Sequence, residues 1–153
     1  LQYLIFGSEE QSEPYKKRVA ELNLQNLRIL PIQPYERVSF VYGLGNAAVV
    51  SCKKGFGGIA MPSKTWSILS AGTAVLASFD TGTDMQRIIE GNDIGLFTQA
   101  EDLNAFTAAI RKLYDDPQRC ASMGKRGRDY ILTHLTREIG TSRFVKVLNY
   151  FAK

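Results

Sequence analysis

The sequence predicts an α/β fold with a mostly parallel sheet, and three observations lead there. Five short apolar segments alternate with stretches of helical periodicity. The segments are apolar throughout instead of alternating with polar residues, as in strands covered by helices on both faces. Glycines, prolines and capping residues punctuate the pattern at the expected element ends.

Leu1 to Phe6 is the first apolar run, closed by Gly7 and Ser8. Pro14 fits the first position of a helix, with Ser12 or Glu13 as its cap. Tyr15, Val19 and Leu22 follow at helical spacing, and Asn23 suits the end. Leu27 to Leu30 is a second strand, stopped by Pro31. Pro34 opens a helix through Val38, Val41 and Tyr42, with Gly45 just past its end. Ala47 to Ser51 is the third strand. Lys53 to Met61 is a glycine-rich loop, after which Ser63 caps a helix running to Ala71 and ended by Gly72. Ala74 to Ser78 is the fourth strand.

Thr83-Asp84-Met85-Gln86 reads as a capping box for a helix carrying Met85, Ile88 and Ile89 and closed by Gly91. Ile94 to Phe97 is the fifth strand. Asp102 caps a helix that lines up Leu103, Phe106, Ile110 and Leu113 on one face. Pro117 starts a helical stretch to about His134, with breaks expected near Gly124 and Gly127. The last helix carries Ile139, Phe144, Val147, Leu148 and Phe151.

Bulk properties narrow the function. The 153 residues are enough for one ordinary domain with a sizeable core. With 44% hydrophobic and 22% charged residues, the chain belongs with globular proteins, not disordered ones. No apolar run approaches the ~20 residues of a membrane span, and the first residues lack the basic and small-residue features of a signal peptide. Cys52 and Cys120 stand far apart without a CxxC pattern, which implies free, buried thiols in a reducing compartment and no zinc site. The net charge of +4 is spread along the chain, so nucleic acid is not an expected partner.

Ligands in open α/β sheets bind at the carboxyl ends of strands. That rule selects Gly7-Ser8, the Pro31 to Tyr35 turn, the Lys53 to Ser67 segment and the Asp80 to Asp84 loop. The third is the richest in possible contacts. Gly55, Gly57 and Gly58 allow close backbone approach. The helix start near Ser63 offers unpaired amides, Ser63 and Thr65 offer hydroxyls, and Lys64 adds a mobile charge. Together these suit a diphosphate. The plainer alternative is that Ser63 is a cap, Lys64 is solvated and the glycines only turn the chain. GxxxxGK[ST] is absent and no GxGxxG follows a strand. His134 reads as a surface or capping residue, and Lys125, Arg126 and Arg128 as a solvated face. Trp66 and Phe56 read as core residues, and Asp80, Asp84 and Asp93 mostly as turn formers. No nucleophile–base pair or catalytic carboxylate pair is legible, so the catalytic residues are unassigned.

The order of pieces is also informative: "IFG", then "NLRILPIQPYERVSFVYGLGNAAVVSCKKG", then "MPSKTWSILSAGTAVLAS", "IIEGNDIGLF" and "DLNAFTAAIRKLYDDPQRCASMGKRGRDYI". This order resembles the C-terminal, nucleotide-sugar-binding domain of retaining GT-B glycosyltransferases. It is most similar to the group-1 (family 4) type that builds bacterial polysaccharides. The likeness runs from about Leu1 to Phe151, and its most specific part is the PSK helix followed by A-G-x-x-V and a strand.

The resemblance implies a Rossmann-like three-layer αβα sandwich, one half of a GT-B fold, spanning 1–153 as a single domain. An N-terminal acceptor domain, and the first strand and helix of this one, would lie outside the chain. It implies binding of a UDP- or GDP-sugar without metal or other cofactor, with Gly7, Ser8, Pro34, Val38, Gly58, Pro62, Ser63, Lys64, Thr65 and Ser67 as contacts. Polysaccharide, lipopolysaccharide or glycan synthesis in the cytoplasm is implied, with peripheral contact at the inner face of the membrane. The isolated chain is expected to be inactive, and a last helix that packs onto the acceptor domain would leave Phe144, Val147 or Phe151 exposed. The family often has two glutamates separated by seven residues; here those positions hold Ile59 and Ser67. A non-catalytic Rossmann-like module that binds a nucleotide or a protein is the alternative. Sugar epimerases of the same fold would need acid–base side chains that are not found.

Overall fold

A computed structural model describes residues 1–152; Lys153, the last residue of the expected domain, lies outside the described residues. The chain divides into two compact units, Leu1–Val41 and Tyr42–Lys153. Both are built of parallel strands and helices, and the α/β class holds. The five strands fall into two parallel sheets, β1-β2 in the first unit and β3-β4-β5 in the second.

The first unit contains β1 (Tyr3–Gly7), α1 (Glu9–Glu21), β2 (Leu27–Pro31), a 3₁₀ turn at Tyr35–Arg37 and the start of α2 (Val38–Gly43). Tyr3 lies opposite Leu27, and Gly7 opposite Pro31. Helix α1 starts earlier than the proline suggests. Ser8 is its cap: the backbone there is extended and Oγ accepts the Gln11 amide at 3.3 Å. Ser12, expected as a cap, is buried within the helix, and Pro14 sits inside it. Pro34 opens only the 3₁₀ turn, and α2 stops at Gly43, before Gly45.

The second unit is organised around β4 (Ala74–Phe79), whose six residues are all buried. It is flanked by β3 (Ala47–Ser51) and β5 (Gly95–Gln99), with Ser51 opposite Ser78 and Phe79 opposite Gln99. Side chains alternate along a strand, so β4 serves two clusters. Val75, Ala77 and Phe79 pack with Val50, with Ile68 and Leu69 of α3 (Lys64–Ser70), and with Met85 and Ile89 of α4 (Asp84–Gly91). Ala74 packs with Cys120 and Met123 of α6 (Pro117–His134), with Leu113 of α5 (Leu103–Asp115) at the margin. Burying each large apolar side chain contributes on the order of 2 kcal/mol.

The Thr83 and Asp102 caps expected from sequence form, and Asp116 adds a third. Thr83 Oγ1 accepts the Gln86 amide, and the Gln86 side chain reaches back to the Gly82 amide at 2.8 Å. Asp102 Oδ1 accepts the Ala105 amide at 2.9 Å, and Asp116, just before Pro117, does the same for Arg119 at 2.9 Å. Helix α6 is unbroken, contrary to the expected interruption at Gly124 and Gly127. Those glycines are contact surfaces. A Cβ on Gly124 would sit 2.0 Å from the Gly72 carbonyl oxygen, and one on Gly127 2.5 Å from Leu69 Cδ2. Their absence lets α6 lie directly on α3 and the start of β4.

In the basic cluster on α6, Lys125 and Arg128 are exposed, as expected of a solvated face, but the two arginines also bond to neighbouring segments. Arg126 donates to the Asp93 carbonyl at 2.8 Å and to its carboxylate at 2.6 Å, and Arg128 donates to the Ser70 carbonyl. Helix α7 (Arg137–Phe151) has no buried residue, and Phe144, Val147 and Phe151 are 65%, 54% and 80% exposed. No helix among the described residues is long and apolar enough to cross a membrane.

Two glycines of the second unit should therefore respond oppositely to alanine. Gly124→Ala should cost about 2 kcal/mol or more in urea unfolding, because the methyl group meets backbone that cannot move aside. Gly140→Ala, on α7 with open space around it, should stabilise by about 0.5–1 kcal/mol. Equal effects at the two positions would contradict this packing.

Candidate functional site

The expected contact residues divide between the units. Gly7, Ser8, Pro34 and Val38 belong to the first, and Gly58, Pro62, Ser63, Lys64, Thr65 and Ser67 to the second. In the first unit the ends of β1 and β2 are joined by a bond from the Ile32 amide to the Gly7 carbonyl at 3.1 Å. Gly7 lies close to α1, since a Cβ there would sit 2.9 Å from Ser12 Oγ. Ser8 is committed to capping α1. Gln33 folds back to donate to the Pro31 carbonyl at 3.0 Å, which shapes the turn before Pro34.

In the second unit, parallel pairing brings the ends of β3, β4 and β5 to one edge. The glycine-rich loop, Lys53 to Met61, leaves β3 at that edge. Two carboxylates from the neighbouring strand ends hold it. Asp80 Oδ2 accepts the amides of Gly55 at 2.8 Å and Gly57 at 2.9 Å, and Glu101 Oε1 accepts the Lys54 amide at 3.3 Å. Gln99 Nε2 lies 3.5 Å from Asp80 Oδ1, while its oxygen accepts the Thr81 amide at 3.2 Å. Hydrogen bonds to a charged group are worth about 1.5–3 kcal/mol each, so this clasp decides the shape of the loop. Gly57 is buried against it: a Cβ there would lie 3.0 Å from three Asp80 atoms.

Beyond the clasp the loop offers donors. Among the described residues, the amides of Gly58, Ala60, Met61, Ser63 and Lys64 have no protein acceptor. Ser63 does not cap α3 with its side chain; it has helical backbone and no capping hydrogen bond. The helix begins instead through backbone bonds, from Thr65 to the Pro62 carbonyl at 3.0 Å and from Trp66 to the Ser63 carbonyl at 3.1 Å. Ser63, Lys64 and Ser67 are exposed. Thr65 is fully buried and its Oγ1 has no partner among the described residues. Trp66 is half-buried against the core, whereas Phe56 is 53% exposed, so only one of the two aromatics is a core residue.

The family model described as "Glycosyl transferases group 1" matches residues 1–130. The chain belongs to the group 1 glycosyl transferase family. The matched region includes every expected nucleotide-sugar contact. WcaI of Escherichia coli (strain K12), whose name assigns it provisionally as a glycosyl transferase of colanic acid biosynthesis, is 24% identical over 111 residues. That match covers 72% of this chain and 27% of WcaI, so the chain spans about a quarter of the relative's length. Two solved structures share the fold. Sucrose-phosphate synthase from Thermosynechococcus elongatus has a TM-score of 0.78 at 22% identity, covering 99% of this chain and 39% of that one. A mutant of S. aureus TarM, in complex with Fondaparinux, alpha-GlcNAc-glycerol and UDP, has a TM-score of 0.76 at 17% identity. It covers 100% of this chain and 29% of its own. These likenesses show that this group 1 chain shares the fold of the Rossmann-like domains of GT-B glycosyltransferases.

Cys52 directly follows β3 at the carboxyl edge, whereas Cys120 and His134 lie on α6. Cys52 and Cys120 are free thiols, the first half-buried and the second buried. Burial, with a smaller push from the Asp116 carboxylate, holds the Cys120 thiol above its ordinary pKa, and its Sγ donates to the Asn46 carbonyl at 3.0 Å. His134 is exposed and stacks on Tyr130, with ring centroids 4.7 Å apart. Among the described residues no three His, Cys, Asp or Glu side chains are grouped to hold a metal ion.

The enclosed Thr65 hydroxyl makes a direct test of this loop-to-helix junction. Thr65→Val replaces an unsatisfied buried hydroxyl by a methyl of similar shape and should be neutral or stabilising by about 1 kcal/mol in chemical denaturation. A loss above about 1 kcal/mol would show that the hydroxyl has a partner in the folded protein.

Proposed function

We propose that this chain is the nucleotide-sugar-binding half of a group 1 glycosyl transferase, receiving the diphosphate of a UDP- or GDP-sugar at the carboxyl edge of β3 and β4. The observation that carries the reading is the set of unpaired amides at Gly58, Ala60, Met61, Ser63 and Lys64 beside the exposed Lys64 ammonium, inside the region that matches the family. Amides and a cation fixed before the reaction are suited to the charge that develops on a leaving diphosphate, because they need no reorganisation as the glycosyl bond breaks. Gly58, Pro62, Ser63 and Lys64 are the primary contacts on this reading. Ser67 is the position that would serve the ribose. Thr65 supports the turn from within. No side chain is assigned an acid–base or nucleophilic role.

The acceptor would be held by a further domain of the full enzyme, and the exposed apolar residues of α7 support such a partner. Transfer into a polysaccharide, lipopolysaccharide or other glycan at the cytoplasmic side of a membrane is the setting this reading favours, and the name of WcaI points the same way. A second reading, a non-catalytic module, is favoured by one observation. The positions where the family often has glutamates hold Ile59, which is 87% exposed, and an exposed Ser67.

Calorimetry of the full chain with UDP, GDP and their sugars separates the transferase reading from a protein-binding module. The transferase reading predicts binding of one nucleotide, weakened about tenfold in Lys64→Ala, the usual effect of losing one charged hydrogen bond. It predicts further weakening as salt is raised. Absence of nucleotide binding by the full chain would favour the protein-binding module.

A further inference from the structure

The Asp80 carboxylate holds a loop that belongs to a different strand. Its Oδ2 accepts two amides, from Gly55 and Gly57, across more than twenty residues of sequence. Asp80 is half-buried and anchored on its own side: its carbonyl accepts the Thr83 hydroxyl at 2.9 Å, and Gln99 lies within 3.5 Å of its other carboxylate oxygen. Strand β4 behind it is wholly buried, so the carboxylate projects from the most rigid part of the second unit. Gly57 is matched to it, because any side chain there would meet Asp80 at 3.0 Å.

This arrangement sorts the amides of the loop. Those of Lys54, Gly55 and Gly57 already face carboxylates, so an anion approaching them would be repelled and would find no free donor. Those of Gly58, Ala60, Met61, Ser63 and Lys64 have no protein acceptor among the described residues, while the Ile59 amide donates to the Phe56 carbonyl at 3.2 Å. The acidic clasp fixes the first half of the loop and thereby sets where the second half begins.

We infer that Asp80 is a positioning residue for nucleotide-sugar binding, acting through the Gly55 and Gly57 amides to hold the loop segment that follows them. The inference rests on the proposed transferase reading, and it assigns Asp80 no contact with the ligand. Loss of the carboxylate orphans two amides and frees the loop, so part of the binding energy must then be spent on ordering it.

The test measures calorimetric affinity of the full chain for UDP and GDP, together with amide hydrogen exchange over Lys53 to Met61, in four proteins. Wild type should bind one nucleotide. Asp80→Ala should bind it about tenfold more weakly, with faster exchange confined to the loop. Asp80→Asn keeps a neutral acceptor oxygen and should recover at least half of that loss, on a logarithmic scale. Gly57→Ala keeps the carboxylate but displaces the loop, and should weaken binding in the same direction; it carries the test if Asp80→Ala does not fold. Wild-type affinity in Asp80→Ala or in Gly57→Ala, with nucleotide bound by wild type, would overturn the role of Asp80 alone. No nucleotide bound by wild type would overturn the transferase reading and this inference together.

Discussion

Strand β4 has to be buried along its whole length, and the rest of the second unit follows from that constraint. Five of its six residues are apolar, and all six, Ser78 included, are buried between two helical layers that close onto it. The α6 side can approach only because Gly124 and Gly127 carry no side chain where the chain meets Gly72 and Leu69. Once β4 is fixed, its carboxyl end is fixed as well. Asp80 projects from that end, and the loop from the neighbouring strand hangs on its carboxylate. Core packing and loop geometry are thus linked by one residue.

That linkage has a chemical consequence. A glycine-rich loop is conformationally free by nature, and a ligand that must order it loses affinity. Here the protein carries part of that ordering itself, using two carboxylates on amides that a phosphate would otherwise compete for. Negative charge at the first half of the loop and unpaired donors with Lys64 at the second half give the segment a polarity along its length. An anion is directed to one end of it.

The features legible in the sequence are those decided by neighbours in the chain. β3 follows from a run of apolar residues between turn formers, and the Thr83, Asp102 and Pro117 helix starts follow from capping chemistry within four residues. Misread features depend on distant partners. Gly124 and Gly127 look like helix breakers until Gly72 and Leu69 are seen against them. Asp80 looks like a turn former because its partners, Gly55 and Gly57, are remote in sequence. Ser12 and Pro14 gave a misleading helix start because Ser8 provides a better cap earlier in the chain. Ser63 has the right identity for a cap, yet backbone bonds from Thr65 and Trp66 begin the helix without its side chain. The family resemblance came from the order of segments, which survives even where individual contacts, such as the glutamates replaced by Ile59 and Ser67, do not.

The central claim is that a nucleotide diphosphate meets the second half of the glycine-rich loop and not the first. Titrating the ¹⁵N-labelled full chain with UDP and GDP, and following amide chemical shifts residue by residue, tests it most directly. The account predicts the largest shifts at Gly58, Ala60, Met61, Ser63 and Lys64, with Lys54, Gly55 and Gly57 shifting little because their amides remain on Glu101 and Asp80. Largest shifts at Lys54, Gly55 and Gly57, or shifts confined to another part of the chain, would contradict it.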